Sequence, residues 1–408
     1  MKTKILVYGV LGYTGNLFLE RALDRSLPIV LGAREAELRG TAQRLGMDYR
    51  VFEIGETQDI AACLSDIRAV VNLASISYGT NRFLIDACIR TGTHYVDLAA
   101  ECSDMIQVLT HHDAALARGV MLMPGAGFNV IMTDIAGVIA SESLPEPTRL
   151  CLGFATFGKA SRGTIRSLLR LATEPGYTRR AGELVAARSA QTKRTFRAEG
   201  KDYSLISNAS MGDVITSFRS TGIRDIAAFS YYPWILAQFM KGRLNWLRVF
   251  LNRYARWFFA LGPSDGELES QHTYAWAQVE NARGGSASVV IKGPHAYVLT
   301  VKAIGRIIDQ LVRNNVNPGF TPPSFFGRAL IEGIDGVRIT VAGDVDHPTP
   351  ESADATLPAV RADTSVAAHC LVHHHHGTRD VPRSGTFGGL RHPHLGEMRP
   401  RPFAQELP

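Results

Sequence analysis

The chain has 408 residues, too many for one average domain and enough to bury sizeable cores. Its 45% hydrophobic and 20% charged content are those of a soluble globular protein, which excludes a disordered or fibrous class. The net charge of +6 is mild and does not by itself imply nucleic acid, and five scattered cysteines with no zinc-type Cys/His spacing fit a reducing compartment.

The first strand, ending at Tyr8, runs straight into Gly9-Val10-Leu11-Gly12-Tyr13-Thr14-Gly15, and a helix-like stretch follows. This is the layout of a dinucleotide-binding first turn. Gly9 ends the strand in a tight turn that a Cβ would crowd. Gly12 lets the backbone approach a pyrophosphate, with Tyr13 and Thr14 beside it, and Gly15 lets the helix pack on the strand. The helix N-terminus then offers free N–H groups and the positive end of its dipole to phosphates. The spacing is a G-x-x-G-x-x-G variant; taken without context it marks only a tight strand-to-helix turn. The second strand ends in Gly32-Ala33-Arg34, about twenty residues on, where an NAD-specific protein places Asp or Glu against the ribose 2′-OH. A guanidinium there suits a 2′-phosphate, with a solvated arginine at a helix start as the competing reading, so the expected cofactor is NADP, bound by Gly9, Gly12, Tyr13, Thr14, Gly15, Ala33 and Arg34.

Strands are predicted at 5–8, 29–31, 49–52, 69–73, 94–96 and 120–123, with helices between them at 15–25, 36–44, 58–64, 80–91 and 104–118. The alternation implies an α/β fold with a Rossmann-type doubly wound parallel sheet. Ligands bind beyond the carboxyl ends of such strands, which puts Ala74 and Ser75 near a nicotinamide ribose unless they form only a small-residue loop. Tyr78, just beyond them, is the candidate proton donor; a packing tyrosine is the competing reading, since no basic neighbour in its motif lowers its pKa. Asp97 and Glu101 could orient a group on the same rim, with a helix-capping role for Asp97 equally open. His111 and His112 are expected on a solvated helix face.

This NADP-binding domain is expected to span 1–128. A helix at 130–141 leads into a second, mixed α/β substrate domain over 129–342. Its predicted strands lie at 150–156, 279–280, 287–292 and 296–303, and its predicted helices at 164–172, 232–240, 244–261 and 304–314. The segment 226–264 has no acidic residue, five bases and three of the four tryptophans. Helical periodicity puts Trp246, Phe250, Tyr254 and Trp257 on one face and Arg248, Arg253 and Arg256 opposite. Three readings fit: an interfacial membrane helix, a core-facing or homodimer helix, or the wall of an apolar tunnel for a lipid-like substrate. No stretch reaches the length of a membrane span, and the start of the chain is not read as a signal peptide, so the expected location is cytoplasmic, at a membrane surface if 226–264 docks there. Residues 343–408 lack periodicity and lysine and hold eight of the thirteen histidines; this composition predicts a disordered tail, and the His373–His376 run lacks the fixed partner set of a metal site.

Further motifs carry a resemblance: Tyr78-Gly79 followed by Asp86-Ala87-Cys88, Gly92-Thr93-His94-Tyr95-Val96-Asp97, Pro124-Gly125-Ala126-Gly127-Phe128-Asn129 with Thr133-Asp134, Arg162-Gly163-Thr164, Phe218-Arg219-Ser220-Thr221-Gly222-Ile223, and Pro318-Gly319-Phe320-Thr321-Pro322. With the glycine turn and Gly32-Ala33-Arg34, over about 3–341, the chain resembles saccharopine dehydrogenase-like oxidoreductases, in particular their trans-acting enoyl reductase branch. The resemblance implies a Rossmann domain, a second α/β domain and nicotinamide-dependent redox chemistry. The expected function is hydride transfer to a C=C or C=N bond of a hydrophobic, enoyl- or lipid-like substrate, free or carrier-bound. The alternatives are a non-catalytic NADP-binding scaffold and a membrane-docked protein. The chain departs from relatives where Ala74-Ser75-Ile76-Ser77 replaces their Gly-Pro-Phe, where Leu98-Ala99-Ala100 precedes Glu101, and where Asn129 replaces a common Asp.

Overall fold

The structure is a computed structural model and describes residues 2–56, 59–74, 78–171, 176–232, 238, 241, 249–250 and 262–343. The first compact unit is Met1–Val345. The expected tail lies outside the described residues.

The first half alternates as read: β1 (Lys4–Tyr8), α1 (Tyr13–Arg21), β2 (Ile29–Ala33), α2 (Leu38–Leu45), β3 (Tyr49–Val51), α3 (Ile60–Cys63), β4 (Ile67–Asn72), α4 (Tyr78–Thr91), β5 (His94–Asp97), α5 (Cys102–Leu109), α6 (His112–Ala117), β6 (Met121–Met123) and α7 (Phe128–Glu142). The helix expected over 104–118 is two helices, broken at Thr110 and His111. The strands run parallel in the order β3-β2-β1-β4-β5-β6. Because helices cover both faces, β1 after Lys4 and all of β2 are continuous buried runs rather than alternating ones. Strand order reverses between β1 and β4, and a ligand sits beyond the carboxyl ends at that point.

The second half gives β7 (Pro147–Thr156), α8 (Arg162–Leu171), β8 (Gly176–Arg180), β9 (Glu183–Ala187), β10 (Lys193–Ala198), β11 (Lys201–Ser207), α9 (Asp213–Thr221), β12 (Asp225–Ser230), α10 (Asp265–Ser270), β13 (His272–Asn281), β14 (Ser286–Pro294), α11 (Ala296–Val312), β15 (Gly319–Phe320) and β16 (Arg338–Gly343). They build a mixed sheet, β10-β11-β12-β7-β13-β14-β16, with β8 and β9 at its side. Along β14 buried and partly buried residues alternate strictly, so one face meets the core. Helix α7 is buried on nearly every side, as a helix apolar all round must be, and packs on β7, β13 and β14 of the mixed sheet with α9 and α11 beside it.

Two expectations fail here. The strand expected at 296–303 is the first half of α11. Its Val- and Thr-rich run reads as β, but Ala296, Leu299, Thr300, Ala303, Ile304, Ile307 and Ile308 are buried at helical spacing, and His295 caps the end. His112 is not solvated. It is buried, its Nδ1 accepts the Phe320 N–H at 2.9 Å, and it ties β15 beside β6 as a seventh strand of the first sheet.

Candidate functional site

The glycine turn has the expected geometry. Gly9 adopts φ +90°, and a Cβ there would lie 2.6 Å from Ala74, so Gly9 and the end of β4 meet at the switch point. A Cβ on Gly15 would strike the Gly9 carbonyl oxygen and the Val10 backbone. Gly12 stands at the N-cap of α1 and no side chain caps the helix, so its first amides face the rim with their dipole end exposed. Among the described residues, this cradle fits a dinucleotide pyrophosphate. Ala33 is the buried last residue of β2. Arg34 follows with its side chain 68% exposed, and its Nε donates to Glu35 Oε1 at 2.5 Å. Ser75 and the Tyr78 side chain lie outside the described residues; the Tyr78 backbone opens α4.

The rim also holds a buried network that the sequence reading lacked. Asn72, last in β4, donates to Asn81 Oδ1 at 3.0 Å and accepts the Ala74 N–H at 3.1 Å. Asn81 donates to Asp97 Oδ2 at 3.2 Å, and the Tyr95 hydroxyl donates to the same oxygen at 2.7 Å. Asp97 Oδ1 accepts the Ala99 N–H at 2.9 Å. Asp97 therefore closes an Asx-type turn after β5 and does not cap α5, whose N-cap is Glu101. Burial pushes the Asp97 carboxyl up to about 6 against the lowering effect of these donors. Glu101 accepts the Ala100 N–H and the Ser167 hydroxyl, which joins the β5 loop to α8. The polar Asn72 inside an apolar strand end is the signal that could have shown this network.

The mixed sheet supplies the opposite wall. Tyr13, in the glycine turn, donates to the Pro263 carbonyl at 2.9 Å and packs edge-on against Tyr297, ring centres 5.1 Å apart. Burial, then the neighbouring Tyr297, raise the Tyr13 phenol to about 12. The Tyr297 hydroxyl accepts the Ser161 N–H at 2.9 Å and pairs with Thr164 Oγ1 at 2.6 Å. Thr300, one turn further along α11, accepts the Phe128 N–H at 3.0 Å just beyond β6. The start of α11 thus sits over both the glycine turn and the β6 loop. The helices expected at 232–240 and 244–261 fall largely outside the described residues; the segment's first residues are β12 and its last, Gly262 and Pro263, lie against Tyr13. Among the described residues no helix is long and apolar enough to cross a membrane, and no cluster of His, Cys, Asp or Glu could hold a metal.

Behind the rim, Thr133 donates to Asp213 Oδ1, while Asp213 Oδ2 is buried without a hydrogen-bond partner among the described residues. Burial, with Asp134 close by, pushes Asp213 up to about 6. The folded state therefore holds this proton where the unfolded chain, at about 3.9, has lost it. The stabilisation is complete below pH ~4 and is lost as pH rises through ~6. His94, lowered to about 4 by burial, titrates in the same window with the opposite sign. The difference between variants isolates one group. Relative to wild type, Asp213→Asn should gain up to about 3 kcal/mol between pH ~4 and pH ~7 in urea denaturation. A pH-independent difference would show that Asp213 does not titrate there.

Comparison with known proteins agrees with this architecture. Residues 5–123 match the saccharopine dehydrogenase NADP binding domain. Over 144 residues the chain is 33% identical to a trans-acting enoyl reductase of Mycobacterium leprae, a match covering 32% of this chain and 34% of that protein. It is 29% identical over 144 residues to the trans-acting enoyl reductase of Mycobacterium tuberculosis, with the same coverage, so the chain spans about a third of the length of these curated relatives. The apo histidine-tagged saccharopine dehydrogenase (L-Glu forming) from Saccharomyces cerevisiae superposes with TM-score 0.52 at 11% identity, covering 83% of this chain and 100% of that one, a likeness of fold. The match places an NADP binding domain of the saccharopine dehydrogenase type at residues 5–123.

Proposed function

We propose that the chain is an NADP(H)-dependent oxidoreductase acting on the C=C or C=N bond of a hydrophobic substrate, with an enoyl thioester as the first candidate. The observation that carries this reading is the uncapped start of α1 at the β1/β4 switch point, with Arg34 at the end of β2. The similarity to trans-acting enoyl reductases supports the choice of substrate class. When bound, the nicotinamide supplies a hydride; the protein must place the acceptor against it and exclude water. Gly9, Gly12 and Gly15 would hold the pyrophosphate, and Arg34 would leave Glu35 to take the 2′-phosphate.

Fluorescence titration with NADPH and NADH tests the cofactor half. Wild type should prefer NADPH, and Arg34→Ala should weaken NADPH about 10- to 100-fold while leaving NADH within a few-fold, the size of a lost charge-assisted contact. Equal loss for both cofactors would remove Arg34 from the 2′-phosphate site. NADPH binding without oxidation in the presence of any enoyl or imine substrate would assign the chain a binding role instead.

A further inference from the structure

His295 is the N-cap of α11, a helix of 17 residues, and its side chain is 2% exposed. Its Nδ1 accepts the Tyr297 N–H at 3.3 Å, so the ring proton belongs on Nε2. That Nε2 is buried and has no hydrogen-bond partner among the described residues, a rare and costly state for a donor. Gly158, at φ +92°, lies directly against it: a Cβ there would come within 3.5 Å of Nε2 and 3.2 Å of Gln271. The ring is held by stacking on Tyr297, which itself packs on Tyr13 of the glycine turn. Burial lowers the pKa of His295, with Glu267 acting weakly against it, so the ring is neutral at pH 7. The N-terminus of α11 adds the positive end of its dipole at the same point.

We propose that His295 Nε2–H is the donor that receives the carbonyl oxygen of an α,β-unsaturated acyl thioester beside the nicotinamide site, with Gly158 kept free of a side chain to admit it. This rests on the enoyl reductase reading above. As the substrate's β-carbon accepts the hydride, the C=C electron pair shifts toward the carbonyl and negative charge grows on its oxygen. Nε2–H holds that charge, and water supplies the proton that completes the α-carbon. A neutral imidazole suits this role, because it donates a hydrogen bond without giving up its proton.

The test uses the full chain, NADPH and crotonyl-pantetheine. His295→Asn keeps an oxygen near the Tyr297 N–H but loses the reach of Nε2; His295→Gln restores a donor near that position. The expected result is a kcat about 100-fold lower in His295→Asn, with NADPH affinity and thermal midpoint near wild type, and most of the rate recovered in His295→Gln. In ¹⁵N-histidine NMR, the His295 Nε2 resonance should move when butyryl-pantetheine is added with NADP. Wild-type turnover with an unimpaired His295→Asn, or an unmoved resonance, overturns the role of His295 alone. A wild type that binds NADPH but reduces no thioester overturns the substrate reading together with it.

Discussion

Gly15→Ala should cost both the fold and the cofactor, whereas Gly12→Ala should cost the cofactor alone. At Gly15 the added Cβ meets the Gly9 carbonyl and the Val10 backbone, which cannot rotate away as a side chain would. Helix α1 must then lift off β1, and its Leu17 and Phe18 leave the core with it. Overpacking of this kind costs about 3 kcal/mol or more when only backbone can yield. The lifted helix also carries its amides away from the phosphates, so NADPH affinity should fall beyond 100-fold. At Gly12 the nearest atom to an added Cβ is the Gly9 oxygen at 3.3 Å, and φ is −76°, so the folded chain accepts it within about 1 kcal/mol. That Cβ nonetheless projects where a pyrophosphate must come close to the N-cap, and NADPH should weaken at least about tenfold. Urea denaturation and NADPH titration on both variants separate the effects. Equal behaviour of the two would show that the turn does not divide its work between packing and binding.

The nucleotide half was legible because its signals are local. Each parallel strand is a short apolar run, each helix follows within a few residues, and the three glycines have steric duties that no other residue meets. The second half was less legible for equally physical reasons. The β8–β9 and β10–β11 hairpins close through Ala181-Gly182 and Glu199-Gly200, both pairs at positive φ, a tight-turn geometry usually announced by Asn-Gly or Asp-Gly. Ala and Glu hide it, and the flanking strands carry many charges. Helix α11 misread as a strand because β-branched residues fill its first turns, and tertiary packing against α1 and α7 overrides that preference. β15 is two residues long and joins its sheet through His112, a contact between positions far apart in sequence. His295 shows the same limit: a lone histidine before a helix has no motif, and the burial of its Nε2 is visible only in the fold.

Asp97→Ala should be the most damaging single change on the rim. Three buried donors converge on this carboxylate: the Tyr95 hydroxyl, the Asn81 amide and the Ala99 N–H. Truncation removes the shared acceptor of all three at once, and losing the bond to each buried donor costs about 1–3 kcal/mol, so a total near 4 kcal/mol is expected. That is a large fraction of the 5–15 kcal/mol that holds a typical domain together. The damage does not stay local. Asn81 also accepts from Asn72, and Asn72 fixes the Ala74 amide beside Gly9, so the loss runs from β5 to the glycine turn. Asp97→Asn keeps an oxygen for Ala99 but turns an N–H₂ toward the Asn81 amide, a donor against a donor, and should cost about 1–2 kcal/mol. The ordering wild type, Asn, Ala in urea midpoint, with NADPH affinity falling in the same order, is the expected result. If Asp97→Ala unfolds within about 1 kcal/mol of wild type, water or a rearranged Asn81 satisfies the donors, and the network does not brace the cofactor rim.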